Sequence, residues 1–275
     1  MTETVAPPHP FDAAVGLTPL TAGLSTGETN PAYNNMVGPF GGVTAATLLE
    51  SVLKHPPERL GDPLSLTVNF AGPITEGASR SPPGRCAPTA RRNTGPSNFL
   101  RTEPSPLPRR QCSVPGVKPG RRPKSRCRRF RRPKTLRCCR SPRVHRLGTE
   151  LRDALCRRCN PPDLESGEHP DSTTTLWVRD RPARALDFTS LTALCDVFFP
   201  RVFLRRGKMA PAGTVSMTIY FHADAQTLTE QADNSVLGTA RTQRFGNGYF
   251  DQSAEIWGSD GALLATTHQL VYFKD

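Results

Sequence analysis

The sequence predicts an α+β protein built from two similar units, each with one helix packed across an antiparallel sheet. Two observations favour this class. Each half of the chain has an apolar pattern of helical spacing followed by alternating, strand-like segments. The two halves also share a motif, since Ser65-Leu-Thr-Val-Asn-Phe70 is similar to Ser216-Met-Thr-Ile-Tyr-Phe221. A duplicated unit of this kind buries its helix against its sheet.

In the first half, a helix is predicted over residues 43–53, where apolar residues recur at helical spacing. The two prolines that follow at 56 and 57 end it. Residues 65–70 alternate and predict a strand, and a short strand is expected within residues 11–20.

In the second half, a strand is predicted over 173–178 and a helix over 188–199, which ends at Pro200. Four more strands are predicted, separated by loops that include the glycine-containing turns Gly246-Asn-Gly248 and Ser259-Asp-Gly261. These strands cover residues 214–223, 236–245, 250–257 and 263–273.

The 275 residues carry a formal net charge of +12, but the charge is concentrated in one segment. Residues 79–160 contain 24 of the 36 Lys and Arg and three acidic residues. No apolar run is long enough for a transmembrane helix, and the first residues lack a secretory signal pattern. We therefore expect a cytoplasmic protein with no membrane partner, divided into 1–78, 79–160 and 161–275.

Three interpretations of the segment 79–160 compete. Its arginine runs are typical of a disordered arm that binds nucleic acid. Its Cys156-Arg-Arg-Cys159 motif is a weak match to a metal site, because no second pair follows at zinc-ribbon spacing. The segment holds seven of the eight cysteines, leaving Cys195 outside. As printed, such a Pro- and Arg-rich stretch is expected to be disordered.

The third interpretation is that the segment is translated from shifted reading frames, and we favour it over a functional basic arm. When the codons from Ser79 to Gly120 are regrouped, they permit a sequence that alternates apolar and polar residues around a Thr-Asp-Gly turn, as a pair of strands does. Three single-base losses, near residues 78, 135–142 and 161, account for this order of frames.

The parts outside this segment resemble the type II acyl-CoA thioesterases, which have a double hotdog fold. The resemblance covers roughly residues 10–77 and 163–275. The motifs that carry it are Phe40-Gly-Gly-Val-Thr-Ala-Ala, Ser65-Leu-Thr-Val-Asn-Phe70, Ala193-Leu-Cys-Asp196, Thr214-Val-Ser-Met-Thr-Ile-Tyr-Phe-His222 and Leu263-Leu-Ala-Thr-Thr-His-Gln269. It implies a hydrolase of fatty acid metabolism that cleaves acyl-CoA to a fatty acid and coenzyme A, with the first hotdog interrupted by the basic segment.

In that family an Asp, a Thr and a Gln hold the attacking water, and the matching positions here are Asp196, Thr214 and Gln269. The resemblance implies neither a cofactor nor a metal. Thioester hydrolysis needs a positioned water, a base and a donor to the developing oxyanion, which these residue types can supply. From the predicted helix, Asp196 is expected mid-helix.

Four cations after that helix are candidates for the phosphates of coenzyme A: Arg201, Arg205, Arg206 and Lys208. A solvated charged face is the alternative interpretation of this run. Acyl-CoA is the expected partner, and a nucleic acid is not expected. Whether the protein forms a homo-oligomer stays open.

Two other functions are suggested by parts of the sequence. A non-catalytic acyl-binding or nucleic-acid-binding protein would use the basic segment. A serine hydrolase is suggested by Gly23-Leu-Ser-Thr-Gly27, which matches GxSxG, but that motif needs a helix directly after it and a loop is expected instead.

Overall fold

The computed structural model describes residues 7–21, 24–35, 38–54, 61–72, 74, 77–81, 99–102, 151–157 and 168–274. The helices are α1 (Pro10–Val15), α2 (Gly41–Leu53), α3 (Phe188–Leu194), α4 (Arg201–Arg206) and α5 (Ala225–Gln231), with a 3₁₀ turn at Pro31–Tyr33. The strands are β1 (Thr18–Thr21), β2 (Leu24–Glu28), β3 (Pro63–Asn69), β4 (Ala78–Ser81), β5 (Phe99–Thr102), β6 (Leu151–Arg157), β7 (Thr174–Asp180), β8 (Ala212–Phe221), β9 (Val236–Arg241), β10 (Phe245–Gly246), β11 (Tyr249–Trp257) and β12 (Leu263–Phe273).

The described strands form two antiparallel sheets. The larger has the order β5-β3-β8-β12-β11-β9-β7-β6, with β10 paired to β11, and the smaller has the order β1-β2-β4. Strands β3 and β8, one from each repeated unit, lie side by side and join the two units into one sheet.

The pairing of β3 with β8 reflects the internal repeat. Ser65 lies opposite Tyr220, and Asn69 lies opposite Ser216. Between them Thr67 lies opposite Thr218, and their hydroxyl oxygens are 3.0 Å apart. These two threonines occupy the same position in the repeated motif, so the pairing is symmetrical about them, as expected of two copies related by a twofold axis.

The main core lies between the larger sheet and the two repeated helices. Its residues come from both units and include Ala45, Leu49, Leu66, Val68, Leu191, Leu194, Met217 and Ile219. Helices α2 and α3 pack closely, because a Cβ added at Gly42 would lie 2.6 Å from the carbonyl oxygen of Ala193. Thr189 also donates to Glu50 Oε2 at 3.0 Å. The two units therefore share one interior.

Most elements predicted outside the basic segment are confirmed, including α2, β3, β7, β8, β9, β11 and β12. Two predictions were wrong in part. Of the strand region expected over residues 11–20, only the end is a strand, β1, whereas its beginning is the helix α1, in which the His9 side chain accepts from the Phe11 backbone N–H. The helix expected over 188–199 is divided into α3 and a turn.

Within the segment 79–160, the described parts are the backbone of strand residues at 79–81, 99–102 and 151–157. The rest, including Cys159 of the Cys156–Cys159 motif and the long arginine runs, lies outside the described residues. Disorder, a metal site and a nucleic-acid arm therefore stay predictions there. Among the helices that are described, none has both the length and the apolar character to cross a membrane.

Candidate active site

Asp196 lies in the turn that follows α3. The helix begins with a capping box, in which the Asp187 side chain accepts from the Ser190 backbone N–H and the Ser190 hydroxyl accepts from that of Asp187. Its end is tightened, since the Asp196 N–H donates to the Ala193 carbonyl at 3.1 Å. Asp196 is therefore placed in a turn just beyond the end of α3.

The expectation that Asp196 lies mid-helix was wrong, because α3 ends at Leu194 and Asp196 lies in the turn after it. Every residue of α3 is buried. Val197, Phe198 and Phe199, which follow Asp196, are buried as well. The chain leaves the helix at Leu194 and buries all three in the interior.

Gln269 and Thr214 lie on the paired strands β12 and β8, and a β-bulge brings them to the same face. Gln269 lies opposite Met217, whereas Val271 lies opposite Thr214, so Val215 is an extra residue in β8. Side chains alternate along a strand, and without the extra residue Thr214 would point to the outer face. The bulge turns Thr214 inward beside Gln269.

These three side chains form one hydrogen-bonded chain. Gln269 Nε2 donates to Asp196 Oδ1 at 2.8 Å and also lies 3.3 Å from the sulfur of Met217. Thr214 Oγ1 donates to Gln269 Oε1 at 3.3 Å. The backbone N–H of Gly42, at the start of α2, donates to the Asp196 carboxylate. The structure thus brings together the carboxylate, hydroxyl and amide predicted from sequence.

The glycine before Gly42 lets α2 approach the carboxylate. A Cβ added at Gly41 would lie only 2.9 Å from Asp196 Oδ2. Any larger residue at this position would displace the Asp196 side chain. The Phe40-Gly41-Gly42 sequence at the start of α2 therefore has a steric role in the site.

The network lies on the wall of a cavity of about 740 Å³. Most of the lining is apolar, and the cavity is of the size that proteins use for small-molecule ligands. Besides Asp196, Thr214 and Gln269, the lining includes Gly41, Thr44, Phe70, Phe198, Phe199, Pro200, Pro211, Tyr249, Gln252, Val271 and Tyr272.

Burial raises the pKa of Asp196 to about 7, although the hydrogen bonds from Gln269 and Gly42 act in the opposite direction. Asp196 as a residue is half-buried and borders the cavity, but protein atoms around its carboxyl group remove most of the hydration of that group. A base with this pKa can accept a proton near neutral pH. The adjacent Cys195 is wholly buried, and burial raises the pKa of its thiol far above the usual range.

The four candidate cations have different environments. Arg201 is wholly buried, donates to the Phe199 and Ser172 carbonyls and the Thr174 hydroxyl, and has its pKa lowered to about 9 by burial. Its guanidinium donates to buried groups of the protein itself. The expected contact between Arg201 and phosphate was therefore wrong, and Arg201 has a structural role.

The other three cations lie nearer the surface. Arg205 pairs with Glu168 at 3.3 Å, Arg206 lies 4.9 Å from the ring centroid of Phe273, and Lys208 is exposed. Their contact with phosphate stays a prediction.

Gly41 and Gln252 also line the cavity and were not predicted from the sequence. Gln252 follows Phe250 and precedes Ala254 on the alternating strand β11, and all three are buried. A polar residue at an inward-facing position of a strand is the pattern that would have indicated it.

The GxSxG match does not form a nucleophile elbow. Ser25 is buried within β2, which pairs with β1 and β4 on its two sides. No helix directly follows β2. A serine hydrolase of that type is therefore not indicated.

Comparison with known proteins agrees with this geometry. The acyl-CoA thioesterase N-terminal domain matches residues 30–81, and the acyl-CoA thioesterase C-terminal domain matches residues 140–273. Together these matches cover more than half of the chain. The chain belongs to the acyl-CoA thioesterase family. No curated protein matches it significantly.

Solved structures confirm the predicted hotdog fold. A conserved protein of unknown function with a hot dog fold from Alicyclobacillus acidocaldarius is 36% identical with a TM-score of 0.73, covering 98% of this chain and 99% of that one. The acyl-CoA thioesterase II TesB2 of Mycobacterium marinum is 15% identical with a TM-score of 0.58, covering 96% and 98%. At this identity the second likeness concerns the fold alone.

Proposed function

We propose that this protein hydrolyses acyl-CoA thioesters to a free fatty acid and coenzyme A, using a water held by Asp196, Thr214 and Gln269. The observation that carries the proposal is the hydrogen-bonded chain of these three side chains on the wall of a largely apolar cavity. Family membership supports the thioester as the bond that is cleaved.

Each side chain has a distinct part in the proposed reaction. Gln269 is bonded at both ends, to Asp196 Oδ1 and to Thr214, and so holds the water through these two side chains. Thr214 gives its hydroxyl hydrogen to Gln269, so its oxygen is left to accept from the water. The water donates one hydrogen to Thr214 and the other to the Asp196 carboxylate.

In the chemical step, the water oxygen forms a bond to the thioester carbonyl carbon while its proton moves to Asp196. The carbonyl electron pair moves onto oxygen and then returns, which breaks the carbon–sulfur bond. The thiolate of coenzyme A leaves and takes up a proton. A thiolate is a good leaving group, so this mechanism uses no strong general acid.

The cavity supports an acyl chain as the apolar part of the substrate, since Phe70, Phe198 and Val271 line it. Pro200 and Pro211, which flank α4 and the loop after it, also line the cavity. The cations Arg205, Arg206 and Lys208 lie between these two prolines in sequence. This supports contact between these cations and the phosphates of coenzyme A.

The direct test is acyl-CoA hydrolysis by the full chain and by Asp196→Asn. The variant keeps the shape of the side chain but cannot accept the proton, and we expect kcat to fall by about 10²–10⁴-fold. Asp233→Asn is the matched control, because Asp233 is exposed and lies outside the cavity lining. Equal hydrolysis by the two Asn variants would contradict the proposal.

We further propose that residues 79–160 are encoded in shifted frames. The support is the strand-like alternation of the regrouped codons, together with family matches that stop at residue 81 and resume at residue 140. The DNA sequence of codons 75–165 tests this, because a verified, uninterrupted frame would exclude it. Hydrolysis assays should therefore include a frame-restored version beside the chain as printed.

A further inference from the structure

Gln252 is a second buried glutamine at the cavity. Its side chain is 2% exposed and points from the inner face of β11, between the buried residues Phe250 and Ala254. Gln252 also lines the cavity that contains Asp196 and Gln269. It is therefore withdrawn from bulk solvent and presented to the space that a ligand would fill.

Gln252 and Gln269 lie directly opposite each other on β11 and β12. The two amides differ in their hydrogen bonds to the protein. Gln269 donates to Asp196 and accepts from Thr214. In the part of the chain that the structure describes, no hydrogen bond to the Gln252 amide is found. An amide on a cavity wall that has no protein partner is available to a ligand that enters the cavity.

Two other polar side chains that line the cavity, Thr44 and Thr214, already donate their hydroxyl hydrogens, and those of Tyr249 and Tyr272 belong to exposed residues. The Thr44 hydroxyl donates to the Phe40 carbonyl at 3.3 Å, and the Thr214 hydroxyl donates to Gln269. Asp196 can accept but not donate once it is ionised. The Gln252 amide can donate two N–H bonds, and a thioester carbonyl oxygen can only accept.

We propose that Gln252 binds the thioester carbonyl oxygen and donates a hydrogen bond to the oxyanion that forms on it. This inference rests on the proposed function. Directly opposed side chains in an antiparallel pair have Cβ atoms about 4.5–5.5 Å apart. A carbonyl attacked by the water beside Gln269 would thus present its oxygen within reach of the neighbouring amide.

The bonding changes balance without a further reactant. Water oxygen bonds to the carbonyl carbon, its proton passes to Asp196, and the carbonyl electron pair becomes the oxyanion that accepts from Gln252. When the pair returns, the carbon–sulfur bond breaks and the thiolate leaves. The Gln252 contact strengthens as charge develops, so it favours the transition state over the bound substrate.

The test uses the full chain with Gln252→Leu and Gln252→Glu. Gln252→Leu removes both N–H donors, whereas Gln252→Glu keeps the length of the side chain and, when ionised, can only accept and repels the oxyanion. Loss of one oxyanion donor lowers kcat by about 10²–10³-fold in other hydrolases, and we expect a loss of this order with a smaller change in KM. The rising limb of the pH–rate profile should persist, because Asp196 is unchanged.

Binding of two inert analogues provides a readout besides activity. A dethia-CoA ketone, with a methylene in place of sulfur, keeps the carbonyl, whereas an alkyl-CoA thioether lacks it. We expect Gln252→Leu to weaken the ketone by about tenfold or more and to leave the thioether unchanged. Equal affinity of wild type and variant for the ketone would overturn the inference.

The outcomes also separate this inference from the proposed function. If the wild type hydrolyses acyl-CoA and both Gln252 variants match its kcat, the role of Gln252 is overturned and the proposed function stands. If the wild type does not hydrolyse acyl-CoA and does not bind either analogue, both fail. A folded variant, checked by its melting temperature, is required in each comparison.

Discussion

Gln269 Nε2 lies 2.8 Å from Asp196 Oδ1, although 73 residues separate the two in sequence. The amide is held from its other end by Thr214, so its N–H is directed at the carboxylate. This contact stabilises the ionised form of a carboxyl group that burial would otherwise keep protonated. The ionisation of Asp196 is therefore coupled to Gln269.

The rate of hydrolysis should depend on pH with a midpoint set by Asp196. Its pKa is raised to about 7 by burial, and only the ionised carboxylate can accept the proton of water. We expect kcat/KM to rise from pH 5.5 to pH 8.5 with an apparent pKa near that value. A profile that stays flat down to pH 5 would exclude Asp196 as the base.

Replacing Gln269 by Leu should move that midpoint upward. The hydrogen bond from Gln269 lowers the pKa of Asp196, whereas desolvation raises it. Loss of the hydrogen bond should therefore raise the pKa further. We expect a slower enzyme whose residual activity titrates at higher pH than the wild type. Gln226→Leu, at an exposed helix position, is the matched control. An unchanged midpoint in Gln269→Leu would contradict the coupling.

Asp196→Asn should stabilise the fold at alkaline pH. The folded pKa of about 7 lies above the ordinary value of 3.8, so the folded state binds more protons than the unfolded state between these values. The free energy of unfolding of the wild type therefore falls as pH rises from about 4 to about 7, by at most about 4 kcal/mol. The Asn variant does not ionise, so its stability does not fall for this reason. Urea unfolding at pH 5 and pH 8 measures this difference in stability. A variant that is less stable than the wild type at pH 8 would refute the prediction.

Gly41→Ala should impair catalysis more than stability. Its Cβ would lie 2.9 Å from Asp196 Oδ2 and displace the carboxylate from Gln269. We expect kcat to fall by about tenfold or more, since small misplacements are costly in catalysis. Gly72→Ala is the matched control, because Gly72 also lines the cavity but nothing lies within 4 Å of its added Cβ. Similar kcat values for the two variants would argue against steric placement of Asp196.

Removing Arg205 and Lys208 together should raise KM for acyl-CoA by several-fold through lost phosphate contacts. An acyl-N-acetylcysteamine thioester has no phosphates, so its KM should not change. Lys274→Ala controls for the loss of surface charge. A rise in KM for both substrates would indicate that the two cations act on the fold instead.

The repeated architecture was predictable because it depends on local pattern. The motif that contains Thr67 and Thr218 predicted two equivalent strands, and the structure pairs them about those residues. Short elements were harder, since α1 has six residues and α5 has seven. Neither is long enough to show a full helical period.

The site was predictable only through the family resemblance. The contact between Asp196 and Gln269 depends on tertiary packing, and the inward direction of Thr214 depends on the bulge at Val215. Strand alternation alone gives Thr214 the wrong face. The inward direction of Gln252 was predictable from strand alternation. The cavity it lines and the hydrogen bonds of the side chains beside it depend on tertiary structure.

The central claim is that Asp196 and Gln269 act as one unit on a single water, and a double-mutant cycle tests it most directly. Single-turnover acyl-CoA hydrolysis would be measured for wild type, Asp196→Asn, Gln269→Leu and the double variant. Residues that act as a unit are strongly non-additive, so we expect the double variant to be about as slow as the slower single variant. A double variant whose loss equals the product of the two single losses would contradict the claim.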